Sequence, residues 1–203
     1  MPTDGRLLGA IWWGFNNPGC FLWARVLESG RVHVVSELKF QKKHIEDVAR
    51  DIKARTRELE AEKLSSIYGP PDIFPKPDGP VIEAESPSQT FSRFGVVMIP
   101  AGSIEQHGWQ RIHDYLRDAP DGKPWLLIAP ACQTLIRTLP SLVEHDKDKE
   151  DVVGDSYAAH ALRVLLSARP HPTQMAKSKK PYAWGTVGWL RDDDKPRGLL
   201  SSR

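Results

Sequence analysis

The feature that most constrains the fold is a change of hydrophobic pattern after the first 40 residues. Before that point, three short apolar runs are separated by the turn sequences Asn16-Asn17-Pro18-Gly19 and Ser29-Gly30, a pattern typical of a β-meander. Beyond it, segments with apolar residues at helical spacing alternate with short apolar runs. Together the two patterns predict an α/β fold built on a mixed β-sheet.

The predicted elements are short and follow one another closely. The predicted strands cover residues 7–13, 20–27, 32–40, 65–68, 96–99 and 125–128, and the predicted helices cover 44–64, 86–95, 104–116, 132–139 and 155–167. The helix at 86–95 has a clear start, because Ser86 is a favourable N-cap and Pro87 suits the first helical position. We expect the six strands to form one sheet with helices on both of its faces.

Composition places the chain among soluble globular proteins. It has 203 residues, 40% of them hydrophobic and 27% charged, with a net charge of +2. No apolar run approaches the ~20 residues of a membrane-spanning helix, and no basic-then-apolar leader opens the sequence, so we expect a cytoplasmic protein without a membrane partner. Cys20 and Cys132 form no CxxC motif, which argues against a disulfide framework or a zinc finger and predicts buried thiols.

A shift of composition near residue 170 predicts two units. We expect a globular domain over residues 1–169 and a weakly basic C-terminal tail containing Pro, Ser and Gly over 170–203. The tail is interpreted as a solvated extension rather than a dedicated nucleic-acid arm. Trp184 and Trp189 argue against complete disorder, since large aromatic residues are unusual in a fully solvated segment.

Five short segments stand in a particular order over about 155 residues. They are GAIWWGFNNPG (9–19), GWQRIHDYL (108–116), GKPWL (122–126), LIRTLP (135–140) and AAHALR (158–163). In this order they resemble the nuclease domain of tailed-phage large terminases. The resemblance implies an RNase H-like fold, in which a five-stranded mixed sheet gathers acidic residues around two divalent metals, Mg²⁺ or Mn²⁺.

The same resemblance implies a role in viral DNA packaging. Its expected partners are double-stranded DNA and a phage portal protein or terminase ATPase component, and its expected location is the host cytoplasm. The sequence has no GxxxxGK[ST] motif, so we expect the ATPase motor that precedes this domain in a complete terminase to be absent.

The positions at which the family pattern has metal-binding acids carry other residues here. Trp12 stands where the family has an acid before the Trp-Gly pair, and Pro70-Pro71 stands where an acid followed by Pro is common. Ser156 and His160 occupy both late acidic positions, on one helical face. Because an indole has no lone pair for a hard cation, we predict a catalytically impaired pseudo-nuclease, with Mg²⁺ or Mn²⁺ as cofactor if it has one.

The alternative is an active two-metal DNA endonuclease that uses the carboxylates nearby. These are Glu37 at the end of the third strand, Asp72 just after Pro70-Pro71, and Asp155, with Asp151, before the last helix. A surface charge at a strand end explains Glu37 equally well, and a helix cap explains Asp155 better. His160 fits a hydrogen-bonded core residue better than a ligand of a softer ion such as Zn²⁺.

Basic residues in the resembling segments are candidates for contacts to a DNA backbone, although a solvated helix face is the ordinary explanation. They are Arg111, Arg117, Lys123 and Arg137. Trp109 and Trp125 are predicted to fill the core, with base stacking as the alternative. The mixed charges of residues 42–63 predict an exposed helix face with no partner. A non-catalytic DNA- or portal-binding module and a decayed remnant both stay open.

Overall fold

The structure is a computed structural model that describes residues 5–59, 64–75, 85–102, 108–141, 143–145, 148–153 and 156–169. The predicted tail at 170–203 lies outside these ranges, so the domain boundary at residue 169 stays a prediction. None of the helices in the described ranges is long and apolar enough to cross a bilayer.

A six-stranded mixed β-sheet forms the centre of the molecule. Its strands are β1 (Arg6–Trp12), β2 (Gly19–Val26), β3 (Val32–Phe40), β4 (Ser66–Gly69), β5 (Ile99–Pro100) and β6 (Leu126–Ile128), in the order β5-β4-β1-β2-β3-β6. The first three strands form an antiparallel meander, whereas β4 runs parallel to β1, β5 to β4 and β6 to β3. The predicted mixed sheet is confirmed, with one strand more than the five that the resemblance implied.

In the described ranges, five α-helices cover both faces of the sheet, as expected. They are α1 (Ile45–Glu58), α2 (Pro87–Arg93), α3 (Gly108–Leu116), α4 (Gln133–Thr138) and α5 (Tyr157–Ser167). We call the side covered by α1 and α2 the α1 face, and the side covered by α3, α4 and α5 the α5 face. Successive side chains of β2 point to opposite faces, so this strand contributes to the hydrophobic core on each face of the sheet. Phe21 and Trp23 pack on the α1 face, while Cys20, Leu22 and Ala24 pack on the α5 face.

Local capping explains where two of the predicted elements begin and end. Ser86 caps α2 in a capping box with Gln89, as its sequence predicts. After α2, the Val96 N–H donates to the Phe91 carbonyl at 2.9 Å, so the Val96 N–H closes the end of the helix and is not available to a neighbouring strand. For this reason β5 begins at Ile99 and holds two residues, although the apolar run predicted a strand from residue 96.

Two further elements differ from the predictions. The helix α1 ends at Glu58, before the predicted end at 64, and Leu64 instead packs against the α1-face core. A separate hairpin of β7 (Val143–His145) and β8 (Asp148–Val153) was not predicted, because its charged sequence lacks the alternation of a half-buried strand. Residues 104–107 and 155, at the predicted starts of α3 and α5, lie outside the described ranges.

Candidate functional site

The end of β1 faces α5, and the two elements meet through an aromatic stack. Trp12 is half-buried, and its ring lies on the imidazole of His160 with centroids 4.4 Å apart and planes at 17°. Trp109 of α3 meets the same imidazole edge-on, with centroids 5.3 Å apart. His160 is only 9% exposed. It is therefore a packed residue of the α5 face, held between two indoles.

A cation extends the stack by one helical turn. Arg163, three residues after His160, is buried and places its guanidinium 4.9 Å from the centroid of the Trp109 ring. Gly108 permits this approach, since a Cβ atom there would lie 2.5 Å from the Cγ and Cδ atoms of Arg163. Arg163 is not among the site residues that the sequence predicts. Its spacing of three from His160 on the same helix is the sequence feature that could have identified it.

Another cation lies across the sheet from Trp12. Trp12 pairs with Cys20 on β2, and Cys20 pairs with Lys39 on β3, so the three residues form one row on the α5 face. The exposed Lys39 holds its ammonium group 4.9 Å from the centroid of the buried Tyr157 ring. The row that begins at Trp12 thus ends in a positive charge next to α5.

The start of α5 holds the other late position of the family pattern. Ser156 is the half-buried N-cap residue, and its side chain makes no capping bond. Its carbonyl accepts the His160 N–H at 2.8 Å, so the two positions lie one turn apart as their spacing predicts. The side chains of Asp155 and Asp151 lie outside the described part of the structure. Their assignment as ligands or caps stays a prediction.

Glu37 has a definite structural role on β3. One of its carboxylate oxygens accepts the Thr134 N–H at 2.6 Å and the other accepts the Leu135 N–H at 3.0 Å. These groups belong to the first turn of α4, whose N-cap residue Cys132 makes no side-chain cap bond. Glu37 therefore caps α4 from a distant strand, where a negative charge also favours the helix dipole. Its explanation as a surface charge at a strand end is wrong, and a metal ion there would compete with both bonds.

Asp72 lies on a short 3₁₀ turn, Pro71–Ile73, that follows β4. The turn is anchored by Ile73, which packs in the α1-face core, whereas Asp72 itself is exposed. Since β4 runs parallel to β1, the turn follows the carboxyl end of β4, on the same side of the sheet's strand ends as Trp12 at the carboxyl end of β1. Within the described ranges, no group of three or more His, Cys, Asp or Glu side chains could hold a metal ion. Asp72 as a ligand stays a prediction.

The two thiols near this site are protonated at neutral pH. Both cysteines are buried and unpaired, as predicted. Burial, reinforced by the negative charge of Glu37, raises the pKa of Cys132 to about 12 and the pKa of Cys20 well above its usual range. Because the thiolate is the form that binds metal, burial makes both cysteines poor metal ligands.

The four basic candidates lie on elements of the α5 face. Arg111 on α3 is half-buried and donates from Nη1 to the Arg169 carbonyl at 2.5 Å, which joins α3 to the end of α5. Arg117 and Lys123 are exposed on the connection between α3 and β6, and Arg137 is exposed on the last turn of α4. Their role in DNA binding stays a prediction. The two candidate stacking residues, Trp109 and Trp125, pack against the α5-face core, as predicted.

No protein-family profile matches the sequence, and no curated protein matches it significantly. Solved structures do match. The large terminase of a thermophilic bacteriophage has a TM-score of 0.63 at 16% identity, over 82% of this chain and 40% of that one. The P22 large terminase nuclease domain has a TM-score of 0.62 at 13% identity, over 87% and 89%. The nuclease domain of the large terminase from bacteriophage SPP1, with bound Mn, has a TM-score of 0.52 at 12% identity, over 80% and 85%.

These likenesses establish the fold. The described chain has the RNase H-like architecture of a terminase large-subunit nuclease domain, as the resemblance of its five segments implied. It spans about two fifths of the length of the thermophilic phage's large terminase.

The residues at the end of β1 do not fit the two divalent ions that this fold implies. Mg²⁺ and Mn²⁺ prefer several hard oxygen ligands. Here an indole and an imidazole stack face to face, with an arginine and a lysine close by. The arrangement instead suits packing, and the positive charges of Arg163 and Lys39 disfavour a bound cation.

Proposed function

We propose that this chain is a pseudo-nuclease domain of a phage or prophage terminase large subunit, which binds double-stranded DNA in the host cytoplasm during packaging without cutting it. The observation that carries the proposal is the stack of Trp12 on His160, 4.4 Å between centroids, at the junction of β1 and α5. The sequence pattern predicts metal-binding acids at these two positions in the family, and the stack supports the proposal because it holds aromatic rings there instead.

The described part of the chain supplies too few metal ligands for two-metal catalysis. Two-metal hydrolysis of a phosphodiester needs carboxylates that hold two ions ~3.5–4 Å apart, so that one activates water and the other stabilises the leaving oxygen. Trp12, Ser156 and His160 supply at most one imidazole nitrogen and one hydroxyl. Glu37, the half-buried carboxylate of β3, is engaged with the backbone of α4. The described side chains therefore support binding rather than cleavage.

A cleavage assay tests the catalytic half of the proposal. Purified protein is incubated with supercoiled plasmid in Mg²⁺, Mn²⁺ or EDTA, with the SPP1 large terminase nuclease domain as the comparison protein. We expect no nicking above the EDTA background for this chain. Robust metal-dependent nicking that is abolished by Glu37→Ala or Asp72→Ala would establish the active-endonuclease alternative instead.

A variant that introduces acids at the three positions tests whether the backbone keeps the geometry of a metal site. The triple variant Trp12→Asp, Ser156→Asp and His160→Asp recreates the family pattern on one strand end and one helical face, so we expect it to bind Mn²⁺ in calorimetry while the parent protein does not. The variant Trp12→Phe, Ser156→Ala and His160→Phe alters the same three positions without adding acids and serves as the control. A folded acidic variant that gives no binding heat would mean that the backbone has also departed from the nuclease geometry.

The DNA-binding half has its own experiment. In EDTA we expect a gel-shift with double-stranded DNA whose affinity falls steeply with salt, since phosphate contacts release counterions. Charge reversal at the exposed pair Arg117 and Lys123 should weaken binding about tenfold, whereas reversal of Arg50, an exposed arginine of α1 on the other face, should leave it nearly unchanged. Equal losses in both variants would remove DNA from the proposal.

A further inference from the structure

A groove lies on the α1 face, on the opposite side of the sheet from Trp12. It has a volume of about 440 Å³ and runs between α1 and the β4–β5 edge of the sheet. Its floor includes Ile52 and Thr56 of α1 and Ile67 of β4, and its outer rim is the segment that leads from α2 into β5. The groove is separate from the site described above, and its role does not depend on the function proposed there.

One wall of the groove is aliphatic and exposed. Val97 is 66% exposed and Ile99 is 47% exposed, and both line the groove. Val97 lies just before β5 and Ile99 is its first residue; β5 is the outermost strand of the sheet and pairs only with β4 among the described strands. Exposed aliphatic side chains that line a groove are typical of a site that a partner covers.

The opposite wall is positively charged. Lys53 and Arg57 lie one turn apart on α1, and both line the groove. Neighbouring cations are paired, since Lys43 binds Asp51, Arg50 binds Glu46 and Asp47, and Arg55 binds Glu58. In the described part of the chain, neither Lys53 nor Arg57 pairs with a carboxylate, and no acidic side chain lines the groove.

We propose that this groove docks an extended acidic segment of a partner protein, in which carboxylates alternate with aliphatic side chains. Successive side chains of an extended chain point to opposite sides, so its carboxylates would meet Lys53 and Arg57 while its aliphatic side chains cover Val97 and Ile99. The spacing also agrees. Side chains four apart on a helix stand roughly 6 Å apart, and alternate residues of an extended chain are separated by about 6.6–7 Å.

The lining favours a peptide over a nucleic acid. Single-stranded nucleic acids bind grooves in which aromatic side chains stack on the bases, and none of the described residues that line this groove is aromatic. A phosphate backbone would satisfy Lys53 and Arg57 but would leave the aliphatic wall uncovered. The sequence pattern had predicted a solvated helix face here, because it does not reveal that two of its cations line a cavity.

The experiment uses a fluorescein-labelled octapeptide of four Glu-Val repeats as the probe in fluorescence anisotropy. We expect saturable binding to the full chain, weakened about tenfold by Arg57→Glu or Lys53→Glu and about threefold by Val97→Ser. Arg50→Glu makes the same charge change on the same helix outside the groove and should alter affinity less than about twofold. A four-fold Lys-Val repeat should not bind.

Three results would overturn the proposal. The first is the absence of saturable binding by the Glu-Val probe to the parent protein. The second is an equal loss of affinity in Arg50→Glu and Arg57→Glu, which would indicate attraction by net charge alone. The third is a dimer in light scattering that Arg57→Glu dissociates, because the occupant would then be a second copy of this chain.

Discussion

The two faces of the sheet are built on the same strands but differ in chemistry. On the α1 face, aromatic and aliphatic side chains fill the core, and the buried Trp23 Nε1 donates one internal bond to Thr56 Oγ1 at 3.0 Å. On the α5 face, the buried His160 and Arg163 both contact Trp109, and the half-buried Glu37 caps α4. Individually placed polar groups therefore take part in the packing of the α5 face, in addition to its apolar core.

This difference teaches that fold and site are separable in the molecule. The architecture matches that of terminase nuclease domains at 10–16% identity. The sequence pattern nevertheless predicts that Trp12 and His160 replace acids of that family. Packing tolerates exchange of one apolar residue for another of similar volume. Metal chemistry tolerates no such exchange at its ligands.

Trp23→Ala is expected to have the largest effect, because it removes a fully buried indole from the α1 face. We expect a loss of about 3–5 kcal/mol in the free energy of unfolding, measured by urea denaturation. Trp23→Phe, which keeps most of the volume and loses the bond to Thr56, should cost less than half as much. A loss below about 1 kcal/mol for Trp23→Ala would contradict the view that this face supports the fold.

Glu37→Ala tests the carboxylate of the α5 face. It leaves the Thr134 and Leu135 N–H groups without their acceptor, so we expect a loss of about 2–3 kcal/mol, with faster hydrogen exchange at these two amides. Glu37→Gln keeps one acceptor oxygen and should fall between the parent protein and Glu37→Ala. An unchanged stability would remove the capping role and return Glu37 to the candidates for a metal ligand.

Gly108→Ala tests the packing of α3 against α5. The new methyl group would lie 2.5 Å from the Arg163 side chain and displace its guanidinium from Trp109, so we expect a loss of about 1–3 kcal/mol in thermal or chemical unfolding. Gly102→Ala is the matched control, because no atom of the described residues lies within 4 Å of a Cβ there, and it should change stability by less than about 0.5 kcal/mol. Equal effects at both glycines would mean that backbone entropy dominates.

The smallest predicted effect concerns pH and the two thiols. Their pKa values are raised in the folded protein, so the unfolded chain ionises first. The stability that the two thiols contribute is complete well below the unfolded pKa of about 8.5 and declines as the pH rises through that value. Between pH 7 and 8.5 we expect a loss of about 0.8 kcal/mol that is absent in the double variant Cys20→Ala and Cys132→Ala. Identical pH profiles for the two proteins would contradict the raised pKa values.

Local pattern accounts for what the sequence could predict. The alternation in β1–β3 and the capping residues Ser86 and Pro87 each act within a few positions, and all of these elements were predicted. The role of Glu37 could not be predicted, because the two N–H groups that it accepts from lie on α4, 97 and 98 residues away. The fit of Gly108 against Arg163 likewise arises only when two helices meet. At the site, spacing placed Ser156 and His160 on one face, but the stacking partners of His160 required the fold.

The order in which the strands join the sheet has a consequence for synthesis and folding. The meander of β1–β3 lies within the first 40 residues and can form early as the chain leaves the ribosome. Its two outer strands then wait for distant partners, since Leu8 of β1 pairs with Ser66 and Val32 of β3 pairs with Leu126. During that interval both edges of a hydrophobic three-stranded sheet are open to other chains. Nascent or truncated forms that end before β6 should therefore aggregate more readily than the 203-residue chain.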